Sequence, residues 1–268
     1  MDKDLQDALR ARYNPDGSAL RKLQLGLLDI LVDFDQFARQ HHIVYSISYG
    51  TLIGAVRHQG FIPWDDDADI MMTRDQWNNL KQFIKSDGQI SETLYIRGTV
   101  RPEIHKAGKG IVDIFIYDYV PHNRCLDRIK TGTCMLLSIL IKCKNRIISH
   151  HYKRPKPWFV FLPLALPFSM STLVSWKERM SLWLNPKEMK PEDMVCLYRT
   201  GGPHDMLVRH EYGLLLGEPI EMNFEGHLLP VIPQYDAFLR VWYNDYMTLP
   251  ERPVNLGRVT DETLCAIK

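Results

Sequence analysis

Four carboxylates fall within five positions in Trp64-Asp65-Asp66-Asp67-Ala68-Asp69-Ile70, and apolar residues rather than Lys or Ser bound the run. Like charges crowded against a core are costly unless a cation neutralises them, so the fold must hold this segment where a cation can reach it. Read as a strand through Asp67 to Met72, the segment alternates its side chains. Asp67 and Asp69 then share one face, while Ala68 and Ile70 point into a core. The same parity adds Asp65 as a further ligand if the extended geometry persists that far back. Hard oxygen donors converging on one point suit Mg²⁺ (or Mn²⁺), with substrate phosphate completing the shell. The plainer reading is a solvated acidic turn, with Asp66 or Asp67 capping the next element. Three other acidic motifs can be compared. An EF-hand loop needs Gly where Ile70 stands and Glu where Gln76 stands, and so fails. A haloacid-dehalogenase-type phosphatase needs a buried apolar strand directly before its Asp, but here Phe61-Ile62-Pro63-Trp64-Asp65-Asp66 precedes. A glycosyltransferase DxD normally follows a long nucleotide-binding half, whereas this motif follows one helix and one strand; it stays as the alternative.

The flanking pattern is α/β. Leu20, Leu23, Leu27, Ile30, Leu31, Phe34, Phe37 and Ala38 recur at three and four positions, which predicts one amphipathic helix ending near His41. Ile43 to Tyr49 reads as a strand running into a glycine turn, and Gly50 to Gly54 opens a helix. Exposed N–H groups at that turn, with the Thr51 hydroxyl, can hold a phosphate, and Arg57 and His58 can add charge. Gly60 to Asp66 is expected as loop, and Thr73 caps a helix from Arg74 to about Lys85. Gly110 to Tyr119 is a second strand, in which Val112, Ile114 and Ile116 alternate with Asp113, Phe115 and Tyr117. Asp113 is the candidate third carboxylate. Near the C-terminus, Tyr235 to Tyr246 suggests another helix.

Charge is partitioned along the chain. Arg128 to Lys177 holds nine of the 33 Lys and Arg and none of the 32 Asp and Glu, which leaves 24 basic and 32 acidic residues, net −8, elsewhere. Overall the net charge is +1, which gives no global electrostatic case for nucleic acid. The basic stretch also carries the apolar runs Met135 to Ile141 and Trp158 to Met170, the second broken by Pro163 and Pro167. It therefore predicts peripheral contact of residues 128–177 with an anionic membrane face, against the alternative of core helices under a basic surface. The opening MDKDLQDALRARYNPDG lacks the apolar core of a signal peptide, and no run of about 18 apolar residues could span a bilayer, so a cytoplasmic chain is expected. Five cysteines without a CxxC pair predict free, buried thiols rather than zinc ligands.

The unbroken stretch from Gly50-Thr51-Leu52-Ile53-Gly54 through Arg57-His58-Gln59-Gly60-Phe61-Ile62-Pro63-Trp64 to Asp65-Asp66-Asp67-Ala68-Asp69-Ile70 closely resembles the signature of LicD/fukutin-like proteins. Val112-Asp113-Ile114-Phe115 is similar to that family's second acidic strand. Phe224-Glu225-Gly226 and Tyr243-Asn244-Asp245-Tyr246-Met247-Thr248-Leu249-Pro250 are similar to its C-terminal signature. The resemblance implies an α/β (α+β) fold: a nucleotidyltransferase-like mixed sheet with flanking helices and a helical basic-apolar insertion. On that reading residues 1–124 are the catalytic core, 125–190 the insertion, and 191–268 complete the catalytic domain. It further implies transfer of phosphocholine or a related phospho-alcohol from a CDP-linked donor to a hydroxyl of a glycan or lipid-linked glycan. Gly50 and Thr51 would contact donor phosphate, and Asp67, Asp69 and Asp113 would bind metal. Two departures are Ile116-Tyr117, where relatives often carry Pro-Leu, and the basic-apolar middle. A binding protein that keeps the fold without turnover is the non-enzymatic alternative, and the intact Asp67, Asp69 and Asp113 argue against it.

Overall fold

The computed structural model describes residues 2–98, 100–148, 161–215 and 219–250. In chain order the elements are α1 (Lys3–Tyr13), α2 (Ala19–Gln40), β1 (Ser46–Ile47), α3 (Tyr49–Ile53) continuing into a π turn (Gly54–His58), β2 (Asp69–Thr73), α4 (Arg74–Lys81), β3 (Leu94–Arg97), β4 (Glu103–Lys106) and β5 (Gly110–Val120). Then come α5 (Arg124–Ile148), α6 (Leu162–Ala165), α7 (Met170–Leu182), β6 (Met194–Cys196), β7 (His210–Glu211), α8 (Tyr212–Leu215), β8 (Ile220–Phe224), β9 (His227–Val231) and α9 (Tyr235–Tyr243). They fall into two compact units. One is drawn from Met1–Arg97, Pro102–Ile114 and Leu215–Lys268, the other from Gly98–Arg101 and Phe115–Leu214. The divisions at 114/115 and 214/215 differ from the expected 124/125 and 190/191, because the second half of β5 pairs with β6 and β6 with β7.

In the first unit the strands run in the order β1-β2-β5-β4-β3. Helix α2 starts where the Ser18 hydroxyl accepts the Arg21 N–H at 3.1 Å. It turns Leu27, Ile30, Leu31 and Phe34, all nearly inaccessible to solvent, toward the sheet. Burying such a side chain stabilises by about 1.5–3 kcal/mol, which makes this helix the main support of the sheet that carries the acidic segment. Residues Ile70, Met71, Met72, Val112 and Ile114 supply the strand side of the core. Hairpin β8–β9 turns through Glu225 and Gly226, both at positive φ (53° and 84°), the two-residue geometry that matches strand twist.

Several boundaries differ from the sequence reading. The expected strand over Ile43 to Tyr49 pairs only at Ser46–Ile47, and the α4 helix stops at Lys81 rather than Lys85. More consequentially, β2 begins at Asp69, so Asp67 lies in the preceding loop and shares no strand with Asp69.

In the second unit α5 packs along α6 and α7, with Leu137, Leu140, Ile141, Cys143, Ala165 and Leu173 at the contact. The charge pattern along 128–177 does not translate directly into basic surface. Lys130 is fully buried and donates to the carbonyls of Tyr119 and Trp183, each at 2.8 Å, and to Asn185 Oδ1 at 3.1 Å. Lys177 is likewise buried and donates to the Gly201 carbonyl at 3.0 Å; burial lowers its pKa to about 8. Lys144 caps the end of α6 through the carbonyls of Ala165, Leu166 and Phe168. Lys153, Arg154, Lys156, Trp158 and Phe159 lie outside the described residues. Among the described residues no helix is long and apolar enough to cross a membrane, and Cys134, Cys143 and Cys196 are buried thiols while Cys125 is exposed.

Candidate active site

The chain enters the site at Tyr49, which takes φ 48°, a conformation that costs a bulky L-residue energy. Packing holds it: the ring stands 5.2 Å from Trp242 and 5.8 Å from Phe238. The sharp bend therefore sits one residue before Gly50. Gly50 serves a different need, since a Cβ there would stand 2.6 Å from Asp65 Oδ2. Its bare backbone is what lets the Asp65 carboxylate come in. At Gly54 a Cβ would stand 2.4 Å from the Gly60 carbonyl oxygen, so the chain doubles back against the π turn only with glycine there.

The loop that carries the carboxylates is held from two sides. Glu225, at the tip of hairpin β8–β9, forms a paired contact with Arg21 (3.1 and 2.7 Å), accepts the Phe61 N–H at 3.2 Å and donates its own N–H to the Gln59 carbonyl at 2.9 Å. From α2, the buried Gln24 amide donates to the carbonyls of Ile62 (3.3 Å) and Asp65 (2.9 Å) and accepts from Asn14 Nδ2 at 2.6 Å. At the far end Thr51 is buried, and its hydroxyl oxygen accepts the Asp69 N–H at 2.8 Å. The Ser48 N–H meets the Asp69 carbonyl at 3.0 Å. Thr51 thus orients Asp69, where the sequence reading assigned it to phosphate.

Together these contacts bring Asp65, Asp67 and Asp69 to one cleft of about 690 Å³, which Gly50, Arg57, Trp64, Tyr243, Asp245, Tyr246 and Thr248 also line. Oxygens of Asp65, Asp66 and Asp67 lie within 4.8 Å of one another. The Tyr243 hydroxyl is pushed well above its ordinary pKa by burial, and then by Asp69, Asp65 and Asp67. Asp113 sits one strand over, its N–H on the Ala68 carbonyl at 3.0 Å, and is not among the cleft-lining residues.

Arg57 and His58 depart from expectation. Arg57 is buried, and its guanidinium donates to His58 Nε2 (2.9 Å) and to the carbonyls of Tyr246 (2.6 Å) and Thr248 (3.2 Å). It ties the segment after α9 to the π turn. His58 Nε2 accepts from Arg57, so the ring proton sits on Nδ1, 2.6 Å from Gln6 Oε1. Burial, then the neighbouring Arg57 charge, lowers the His58 pKa to about 3. His58 is neutral at physiological pH and adds no charge for phosphate.

Sequence reasoning did not single out Gln24, which looks like one more residue of a helix, or Tyr243 and Asp245, which stood in the C-terminal signature without a role. A polar side chain within an apolar stripe, next to Leu23, was the available signal for Gln24.

Residues 42–123 match the family model described as LicD/FKTN/FKRP, nucleotidyltransferase domain. Over 252 residues the chain is 27% identical to the lipopolysaccharide cholinephosphotransferase LicD of Haemophilus influenzae, covering 86% of this chain and 92% of that protein. Shorter matches join it to uncharacterised proteins of Rickettsia prowazekii, 38% identical over 73 residues (27% of each chain), and of Rickettsia typhi, 36% identical over 86 residues (32% of this chain and 26% of that one).

Proposed function

We propose that this chain, which belongs to the LicD family of phosphotransferases, transfers phosphocholine from CDP-choline to a hydroxyl of a lipopolysaccharide-type glycan or its lipid-linked precursor. The observation that carries the reading is the convergence of Asp65, Asp67 and Asp69 on one cleft whose edge is the side-chain-free Gly50. The name of the Haemophilus relative supports the transferred group and the kind of acceptor.

The residues present fit a hard divalent cation: carboxylate oxygens only, those of Asp65, Asp66 and Asp67 within 4.8 Å of one another, with Asp65, Asp67 and Asp69 lining a cleft large enough for a small-molecule ligand. Asp67 and Asp69, joined by Asp65, would hold it, and Asp113 on the adjoining strand is assigned either to complete that set or to take the proton. A bound Mg²⁺ or Mn²⁺ would offset the diphosphate charge and stabilise the departing CMP. In the reaction the bond from the choline-bearing phosphorus to the CMP oxygen breaks, a bond from that phosphorus to the acceptor oxygen forms, and the hydroxyl proton passes to a carboxylate. Thr51 and Gln24 keep the carboxylate segment in register while this happens. Contact of 128–177 with an anionic membrane would bring the enzyme to a lipid-linked acceptor; exposed Leu164, Leu166 and Trp176 on α6, the turn after it and α7 support that part of the reading.

Asp67→Asn, Asp69→Asn and Asp65→Asn should each lower turnover at least 100-fold with the melting temperature of the metal-free protein kept or raised, since each removes a like charge. Added Mg²⁺ should stabilise the wild type more than these variants. Full turnover in the Asp67 and Asp69 variants, or a melt indifferent to Mg²⁺ and Mn²⁺, would remove the metal from the account.

A further inference from the structure

We infer that Arg57 is a positioning residue: it latches the segment after α9 in place as one wall of the carboxylate cleft, and His58 aims it. Asp245, Tyr246, Thr248, Leu249 and Pro250 of that segment all line the cleft. Two observations make their placement depend on Arg57. The chain leaves α9 through Asn244 at φ 54° and ψ −106°, a conformation that a residue other than glycine keeps only while its surroundings impose it. Past that point the segment's side chains bond backward or within. Tyr246 Oη donates to Asp236 Oδ1 of α9 at 2.7 Å, and the Thr248 hydroxyl donates to Asp245 Oδ2 at 2.5 Å. Among the described residues, the hydrogen bonds that reach 245–250 from any element other than α9 are those of Arg57 Nη1 to the carbonyls of Tyr246 (2.6 Å) and Thr248 (3.2 Å).

One nitrogen thus gathers two carbonyls that lie two residues apart and curls the chain around itself. The guanidinium holds this pose because its other edge is fixed. Its Nε donates to His58 Nε2 at 2.9 Å, and His58 Nδ1 in turn meets Gln6 Oε1 of α1 at 2.6 Å. An imidazole supplies that acceptor only in the neutral tautomer with its proton on Nδ1, which the Gln6 carbonyl selects. The contacts therefore run from α1 through the π turn to the cleft wall, and they need the planar fork of an arginine. A lysine carries the same charge at a single nitrogen, which cannot reach His58 and both carbonyls from one point. That difference separates a latch from a charge: if Arg57 served only to attract donor phosphate, lysine would keep much of its effect and His58 would be irrelevant.

Chymotrypsin reads the latch directly, because it cuts after the buried Tyr246 only when the segment lifts from the cleft. The full chain is digested briefly, the cut between Tyr246 and Met247 is followed by mass spectrometry, and denaturant titration establishes that each variant is folded. Arg57→Lys and His58→Leu should speed that cut at least 10-fold while cuts elsewhere keep their wild-type rates. His58→Gln, whose side-chain carbonyl oxygen can accept from Arg57 Nε, should return the rate toward the wild-type value. Should Arg57→Lys not fold, His58→Leu carries the test alone, since it leaves the guanidinium in place and removes its aim. A kinetic arm is the one part that rests on the proposed phosphotransfer. There Arg57→Lys should raise the KM for CDP-choline at least 5-fold with kcat within about 3-fold, because an open wall withdraws enzyme from the binding-competent form. A wild-type cutting rate in either folded variant overturns the assignment. Faster cutting in both, alongside no CMP release by wild type from CDP-choline, leaves the latch standing and refutes the donor assignment instead.

Discussion

Gly50 and Gly54 lie four residues apart, yet the atoms their hydrogens face predict opposite consequences. At Gly50 the obstructing atom is the end of the Asp65 side chain, which can swing away; at Gly54 it is the Gly60 backbone carbonyl, which cannot. Gly50→Ala should therefore fold normally, with the melting temperature within about 2 °C of wild type, and lose turnover 10- to 100-fold as the carboxylate is displaced. Gly54→Ala should instead lose about 1–3 kcal/mol of stability by overpacking. Denaturant titration beside a CMP-release assay separates the two, and an active Gly50→Ala enzyme would show that the Asp65 position is immaterial. The acidic run itself was legible, because four carboxylates between apolar residues have few uses. Their geometry was not: strand parity joined Asp67 to Asp69, but Asp67 sits in the loop, and convergence comes instead from Gln24, Glu225 and Thr51, contacts across 18 to 204 positions that no local pattern encodes. His58 shows the same limit, since only burial and a neighbouring guanidinium make it neutral.

Among elements, the end of α2 was legible almost to the residue, at Gln40 against an expected end near His41, because its apolar stripe is a local signal. The two-residue β1 was overcalled because pairing with β2 covers only Ser46 and Ile47. Helices α5 to α7 are the instructive case. Their charge clustering suggested a basic surface, but Lys130, Lys144 and Lys177 serve as internal caps for carbonyl groups. Among the described residues the fold leaves exposed apolar side chains as well as Arg128 and Lys142: Leu164 and Leu166 are 56% and 59% exposed and Trp176 is 40% exposed. If this face meets an anionic bilayer, the protein should pellet with anionic vesicles at low salt. Changing Lys142, Arg146, Lys153, Arg154 and Lys156 to Gln should release much of it, each residue contributing about 1 kcal/mol before screening, and Leu166→Ser with Trp176→Ser should weaken binding at high salt as well. Equal recovery in the supernatant with anionic and neutral vesicles would rule the contact out.

At the scale of the whole molecule, two buried histidines set a sensitivity to acid. Burial lowers His210 to about 4, and burial with the Arg57 charge lowers His58 to about 3. The unfolded chain takes up these protons near pH 6.5 and the folded one does not, so stability is full above pH 6.5 and is lost as pH falls toward 4 and then 3. For His210, 1% exposed, the loss between pH 6.5 and 5 is about 1.5 kcal/mol. His210→Phe, which keeps the ring contact with Tyr117, should flatten the denaturant-measured stability over that window; an unchanged slope would place the acid response elsewhere. Function at this scale turns on what crosses the cleft. The most direct measurement gives the enzyme CDP-choline carrying ³²P in the choline-bearing phosphate, Mg²⁺ and a lipopolysaccharide acceptor, and follows phosphorus and nucleotide together. The account predicts unlabelled CMP released in proportion to ³²P and choline arriving on the glycan as a phosphodiester, abolished by Asp67→Asn and Asp69→Asn. An acceptor that gains a sugar from a nucleotide sugar but no phosphorus, while CDP-choline stays intact, would contradict it.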